Sequence, residues 1–337
     1  MGNRMLSPEE ARAVYDLGRG PADNISEFET ALNREGIGVV EIPFSLDDFE
    51  TFRQGFLVCL SECPDELAET FGKYDSRRGS EFGYVRKPLE IDETTGIQKE
   101  DPKHIMHFFN GTHSIWQERF ANGPQPLRDF LAMGAELHDA FVTVAINEVV
   151  LPIDQGGQRL NFAKVYNPDG RTRAFMRYVH YDSYEPFDAD GNVIPMKADV
   201  AKRHRDLGGI TLQGPTSASG FQANHHDLWG HEEHWVDYDS VSGQAQVFFG
   251  KSHNKVFPDD DALAHRVRRI IPHDKQSALE DGRLVMSNAG TLIVPERSAL
   301  ILFYDMPDVD AMVTKRETLG LAALNAERLK DESEAVA

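Results

Sequence analysis

Beyond Pro152 the chain breaks into short apolar runs: RLNFAKVY, GGITLQ, AQVFFG, RVRRII, TLIV and SALILFY. Each is bounded by Gly, Pro, Asp or Asn. Short strands separated by turn residues are the signature of an all-β sandwich or barrel. Before Pro152 the texture is helical. SPEEARAVYDLG starts on a capping box, Ser7 with Glu10 three residues on. ISEFETALNREG is a second helix, stopped by Gly36, and IGVVEIP reads as a strand ending at Pro43. SLDDFETFRQGFLVCLSECP is amphipathic behind a Ser cap, and RRGSEFGYVRKP is a polar turn leading into an extended piece. From Pro126 to Val150, Leu127, Phe130, Leu131, Leu137, Phe141, Ala145 and Val149 keep helical spacing. KRETLGLAALNAERLK closes the chain as a helix before a short acidic tail. The expectation is one α+β unit over 1–337: a helix-rich part (1–150), a β core (151–307), and a C-terminal helix and tail (308–337).

Thirty-five Lys and Arg against 55 Asp and Glu leave a net charge of −20 on 337 residues. Such a surface repels phosphate, which argues against non-specific nucleic-acid binding and against an anionic membrane face. No apolar run approaches the roughly 20 residues of a membrane span, and the N-terminal stretch lacks the apolar core of a signal peptide. The two cysteines, Cys59 and Cys63, lack the second pair that a four-cysteine zinc site needs, and read as free thiols on one helix. The expectation is a cytoplasmic protein, monomeric or a small homo-oligomer.

Nine of the 13 histidines lie between His180 and His273. Those of NHHDLWGHEEHW read as an exposed loop, and HEEH lacks the spacing of the zinc-protease motif. Two H-x-D pairs remain, His180/Asp182 and His204/Asp206. On a strand, residues i and i+2 face the same side, so H-x-D points an imidazole and a carboxylate into one cavity. With a distant third histidine this makes the two-nitrogen, one-oxygen facial triad that suits non-haem Fe(II) and leaves three positions open. LGGITLQGP starts a strand at once after Asp206, whereas acidic turn residues follow Asp182, so the second pair is favoured. His265, opening the alternating HRVRRIIP, is the favoured third ligand. His253 is the runner-up, and His273 looks like a turn residue. Arg297 heads an apolar strand. If that strand lines a barrel, its guanidinium needs an anion there, and a carboxylate is the natural partner. The alternative is an arginine that reaches back to water.

The succession of a helix-rich N-terminal part, HRDLGGITLQ with SGF shortly after it, AHRV and PERSALILFYD resembles the isopenicillin N synthase-like iron and 2-oxoglutarate oxygenases, including the cephalosporin ring-expanding enzymes. ALNREGIGVVEIP is similar to the N-terminal segment of that superfamily, RRGSEFGYV to the piece crossing the active-site mouth, and RLNFAKVYNP to the strand with cosubstrate contacts. The resemblance covers most of the chain. It implies a double-stranded β-helix (jelly roll) core, buttressed by the N-terminal helices and a C-terminal helix, with iron at one open end. It implies His204, Asp206 and His265 as the Fe(II) ligands. Arg297, Tyr166 and Ser298 would hold the distal carboxylate of 2-oxoglutarate. Lys164, Arg77, Arg78 and Tyr84 would contact the substrate, a small molecule whose anionic group, such as a carboxylate, the basic residues could take. The implied reaction consumes O₂ and 2-oxoglutarate, releases succinate and CO₂, and oxidises a C–H bond by hydroxylation, desaturation or ring formation.

Two departures stand out. The superfamily has Arg-x-Ser where this chain has Arg297-Ser298-Ala299, so either a bulge turns Ser298 inward or a hydrogen bond is lost. Thirty-one residues separate His265 from Arg297, so DKQSALEDGRLVMSNAG looks like an insertion. The missing serine leaves open a same-fold iron oxidase that uses no 2-oxoglutarate. A redox-silent jelly-roll metal-binding protein is a further reading.

Overall fold

The computed structural model describes residues 32, 36–73, 81–149, 166, 173–188, 190–225, 234–256, 262–270, 276–280, 283–286 and 292–306. The helices expected over 7–18 and 308–337, and nearly all of the one over 25–35, lie outside these residues. So do Arg77, Arg78, Lys164 and His273.

Five helices are described: α1 (Leu46–Glu62), α2 (Pro64–Ala68), α3 (Thr112–Arg119), α4 (Gln125–Asn147) and α5 (Lys251–Val256). The strands are β1 (Ile37–Glu41), β2 (Gly72–Lys73), β3 (Glu81–Lys87), β4 (Glu90–Ile91), β5 (Gln98–Glu100), β6 (Lys103–Phe109), β7 (Ala174–Tyr181), β8 (Met196–Lys197), β9 (Asp199–His204), β10 (Ile210–Thr216), β11 (Phe221–His225), β12 (His234–Tyr238), β13 (Gln244–Phe249), β14 (His265–Arg268), β15 (Gln276–Glu280), β16 (Arg283–Met286) and β17 (Arg297–Tyr304). An eight-stranded sheet runs β1-β13-β10-β17-β7-β6-β3-β2, and a four-stranded sheet runs β12-β11-β14-β9. All their pairings are antiparallel. From β7 to β17 the chain passes back and forth between the two sheets. That winding is a double-stranded β-helix, the jelly roll the resemblance implied.

Side-chain alternation gives the large sheet two faces. On β17, Ser298, Leu300, Leu302 and Tyr304 face the helices, while Arg297, Ala299, Ile301 and Phe303 face the four-stranded sheet. On β7, Met176, Tyr178 and His180 face the helices, while Arg177, Val179 and Tyr181 face the other way. The two sheets close on each other through Ile37, Val39, Phe221, Ala223, Val236 and Phe248.

Helix α1 starts where the sequence places a cap. Ser45 Oγ accepts from the Asp48 amide at 3.1 Å, and Asp48 Oδ2 accepts from the Ser45 amide at 2.7 Å. Its buried stripe, Phe49, Phe52, Phe56 and Cys59, follows the helical period. Phe52 stacks on Phe130 of α4 at 4.9 Å, and Phe56 meets Tyr178 edge-on at 5.0 Å. Each such buried ring contributes about 1.5–3 kcal/mol. Both cysteines are buried and free. No described helix is long and apolar enough to cross a membrane.

The 23-residue α4 lies across β6, β7 and β17. It can do so because residue 134 is glycine: a Cβ there would lie 2.2 Å from the Phe108 ring. Gly134→Val should therefore cost about 1–3 kcal/mol through overpacking. Chemical denaturation measures this directly, and an unchanged midpoint would mean that the helix is not seated so closely.

Some local expectations differ from the structure. RLNFAKVYNP, expected to be a strand, lies outside the described residues except for Tyr166, which is helical. In TLIV, expected to be a strand, the described residues 292–294 form none; Val294 makes an isolated bridge to Tyr184. The strand β7 was missed, because Arg177 and His180 interrupt its apolar pattern. The expected insertion after His265 does contain added structure, the hairpin β15–β16, which pairs with β8.

Candidate metal centre and the cavity beside it

His204 ends β9 and His265 opens β14, and the two residues are direct register partners. Asp206 follows in the loop into β10. Asp206 Oδ1 lies 3.6 Å from His204 Nε2 and 3.7 Å from His265 Nε2. The imidazole centroids are 4.2 Å apart. Only two trios of potential metal ligands lie within 4.8 Å of one another among the described residues, and this is one. The other, His113, His138 and Asp139, sits between α3 and α4, and none of the three lines the cavity described below.

Neighbouring groups orient each donor. His204 Nδ1 donates to the Lys202 carbonyl at 2.8 Å, and His265 Nδ1 donates to the Leu263 carbonyl at 3.2 Å. A carbonyl only accepts, so each Nδ1 carries the proton and each Nε2 offers its lone pair to the cluster. Asp206 Oδ2 accepts from Thr211 Oγ1 at 2.6 Å, which leaves Oδ1 for the cluster. Two neutral imidazoles and one carboxylate with an open side fit Fe(II). Burial holds His265 below its ordinary pKa, opposed by Asp206, so the ligand-competent neutral form persists into mild acid.

The trio opens on a cavity of about 140 Å³ between the sheets. A single water needs about 10–15 Å³ by the same measure, so a small organic acid fits. Its walls include Lys103, Arg177, Tyr181, Thr211, Phe248, Arg297 and Phe303. Arg297 is 7% exposed. Its Nε reaches only the Ser219 carbonyl, at 3.5 Å, and no carboxylate pairs with it among the described residues. Burial pulls its pKa down. A buried, unpaired guanidinium facing a cavity fits the carboxylate of a bound anion. Tyr181 faces Arg297 across β7 and β17 and lines the same cavity.

Other expected residues lie elsewhere. Ser298 is on the far side of its strand, with Oγ 2.8 Å from His180 Nδ1 and 3.1 Å from Tyr178 Oη. β17 pairs with β7 without a break from Arg297 to Tyr304, so no bulge turns Ser298 inward. Tyr166 is buried, with its hydroxyl 2.7 Å from His253 Nδ1, and does not line the cavity. His253 stacks on Phe249 at 3.9 Å and is a core residue. Tyr84 packs on Phe56 with its hydroxyl on His104 Nδ1 at 2.6 Å, on the helical face. The other H-x-D pair also faces the helices. His180 contacts Ser298, and Asp182 pairs with His104 at 3.0 Å.

Burial also lowers the pKa values of His113 and His180. With His265, three imidazoles are held neutral in the folded chain but titrate freely, near pH 6.5, in the unfolded one. Unfolding therefore takes up protons below about pH 6.5, and stability falls as the pH drops through that range. The denaturant midpoint of the metal-free protein should be lower at pH 5.5 than at pH 7.5. A flat or inverted dependence would contradict the burial of these rings.

No family model and no curated protein matches the sequence. Solved structures do match. A full-length Neurospora crassa protein in complex with alpha-KG shares 16% identity, covering 89% of this chain and 80% of that one, with a TM-score of 0.51. The rice dioxygenase for auxin oxidation shares 16%, covering 86% and 80%, with a TM-score of 0.50. Arabidopsis thaliana dioxygenase for auxin oxidation 1, in its 2-oxoglutarate complex, shares 13%, covering 86% and 90%, with a TM-score of 0.51. At such identities the likeness is one of fold.

Proposed function

We propose that the chain is a non-haem Fe(II)/2-oxoglutarate-dependent oxygenase acting on a small molecule. One observation carries this: in a single cavity, two oriented imidazole Nε2 atoms converge on Asp206 Oδ1 beside a buried arginine without a counterion. His204, Asp206 and His265 would hold the iron. Arg297 would take the distal carboxylate of 2-oxoglutarate, an acid that two of the solved structures of similar fold contain. Bound iron and 2-oxoglutarate would supply the oxidation: O₂ and the keto acid are consumed, succinate and CO₂ leave, and a substrate C–H bond is oxidised.

The protein's task is placement and exclusion of water. Thr211 and the Lys202 and Leu263 carbonyls keep the three ligands turned to one point. Val179, Ala299, Ile301 and Phe248 make much of the cavity wall apolar, which strengthens the Arg297–carboxylate pairing. Tyr181 is the hydroxyl best placed to share that carboxylate with Arg297, the role expected of Tyr166 and Ser298. This weakens the oxidase reading, which rested on the missing serine. Hydroxylation, desaturation and ring formation are all open to such a site.

Arg297→Ala should raise the KM for 2-oxoglutarate at least tenfold, with iron affinity nearly unchanged. Succinate formation against 2-oxoglutarate concentration checks this, and an unchanged KM would remove Arg297 from the cosubstrate site.

A further inference from the structure

The cavity holds a second, half-buried guanidinium that the proposed chemistry leaves unused. Arg177 projects from β7 into the same space and has no carboxylate partner among the described residues. Its Nε–H is donated to His107 Nε2 at 2.8 Å, and its Cζ lies 5.0 Å from the Phe303 ring centroid and 5.8 Å from that of Phe175. These contacts fix the group and leave its two Nη amino groups as the donors for a bidentate anion. Burial pulls its pKa down, opposed first by Asp206, which puts Arg177 within the field of the metal centre.

The formal charges of the filled site show what is missing. Iron and Arg297 bring three positive charges. Asp206 and 2-oxoglutarate bring three negative ones, and Asp206 is the only acid among the cavity-lining residues. The third cation of the wall, Lys103, is already paired with Glu100. Arg177 alone is left over, in surroundings where an unpaired charge is costly. The cosubstrate's distal carboxylate cannot serve both arginines. Arg177 is level with Ile301 and Arg297 with Tyr181, four residues or about 13 Å apart along neighbouring strands. Ile105, Val179, Ala299 and Ile301 fill the wall beside them.

We propose that Arg177 anchors the substrate, and that the substrate is therefore a monoanionic small molecule: a carboxylate on an apolar body. This rests on the iron and 2-oxoglutarate reading above and gives it a substrate class. Calorimetric titration of protein saturated with Mn(II) and 2-oxoglutarate tests it without turnover. The probes are phenylacetate and hexanoate, each against its primary amide. At least one acid should bind ten times more tightly than its amide. Arg177→Met should abolish that preference while leaving 2-oxoglutarate affinity within about twofold, and Arg177→Lys should retain part of it. Amides that bind as well as the acids, or acids that do not bind at all, would overturn the proposal. So would a tenfold loss of 2-oxoglutarate affinity in Arg177→Met, which would make Arg177 a cosubstrate group. Failure of the parent protein to bind 2-oxoglutarate would count against the oxygenase reading instead.

Discussion

Asp206→Ala should yield a folded protein that no longer retains iron. Asp206 supplies the only carboxylate to the trio, and both Nε2 atoms face its Oδ1 at 3.6 and 3.7 Å. Losing a partner that merely orients a ligand costs about 10–100-fold in metal affinity, so loss of the ligand itself should exceed that. Thr211→Val, which removes the 2.6 Å hydrogen bond to Oδ2, should fall within the smaller range. Asp206 lies in a loop and contributes nothing to the apolar contacts between the sheets, so the unfolding free energy should change by no more than about 1 kcal/mol. Metal content after gel filtration, read beside a denaturation curve, separates the two effects. Iron retained by Asp206→Ala but lost by Asp182→Ala would transfer the metal to the other H-x-D pair.

The second large effect concerns stability. Asp101 and Arg269 form a buried bidentate pair, Nη1 to Oδ1 at 2.6 Å and Nη2 to Oδ2 at 3.0 Å, and both residues are less than 9% exposed. Arg269 Nε also donates to the Lys197 carbonyl at 3.0 Å. The pair ties the end of β14, in the small sheet, to the start of β6, in the large one. Asp101→Ala strands a guanidinium in the interior and should destabilise the fold by about 3–5 kcal/mol. Arg269→Met should cost less. It leaves Asp101 still accepting from Gln98 Nε2 at 2.8 Å and Tyr184 Oη at 2.9 Å, with an apolar chain filling the space. Equal losses in the two variants would mean that the ion pair, and not the stranded cation, sets the cost.

Much of the candidate site was legible because its signals are local. H-x-D directly before GGITLQ puts His204 at the end of one strand and Asp206 in the short loop before the next. An arginine at the head of an alternating strand needs only parity to place it in the cavity. The same parity already sends Ser298 the other way, since adjacent residues on an unbroken strand face opposite sides. What was not legible depends on long-range pairing. AFMRYVHY carries too many polar residues to stand out, yet β6 and β17 flank it and make it a central strand. Arg177 and Tyr181 lie on that strand, so no local pattern points to them, while Tyr166, which the resemblance offered for the cosubstrate, bonds to His253 outside the cavity. The Asp101–Arg269 pair spans 168 residues, and no local pattern announces it.

The most direct measurement is an anaerobic Fe(II) titration in the presence of 2-oxoglutarate, following the weak visible absorption of the keto-acid chelate. The expected result is a saturable band at one iron per chain, absent in His204→Ala and shifted to much higher 2-oxoglutarate concentration in Arg297→Ala. Iron that binds without a band would contradict the cosubstrate role. Iron that fails to bind at all would contradict the metal centre itself.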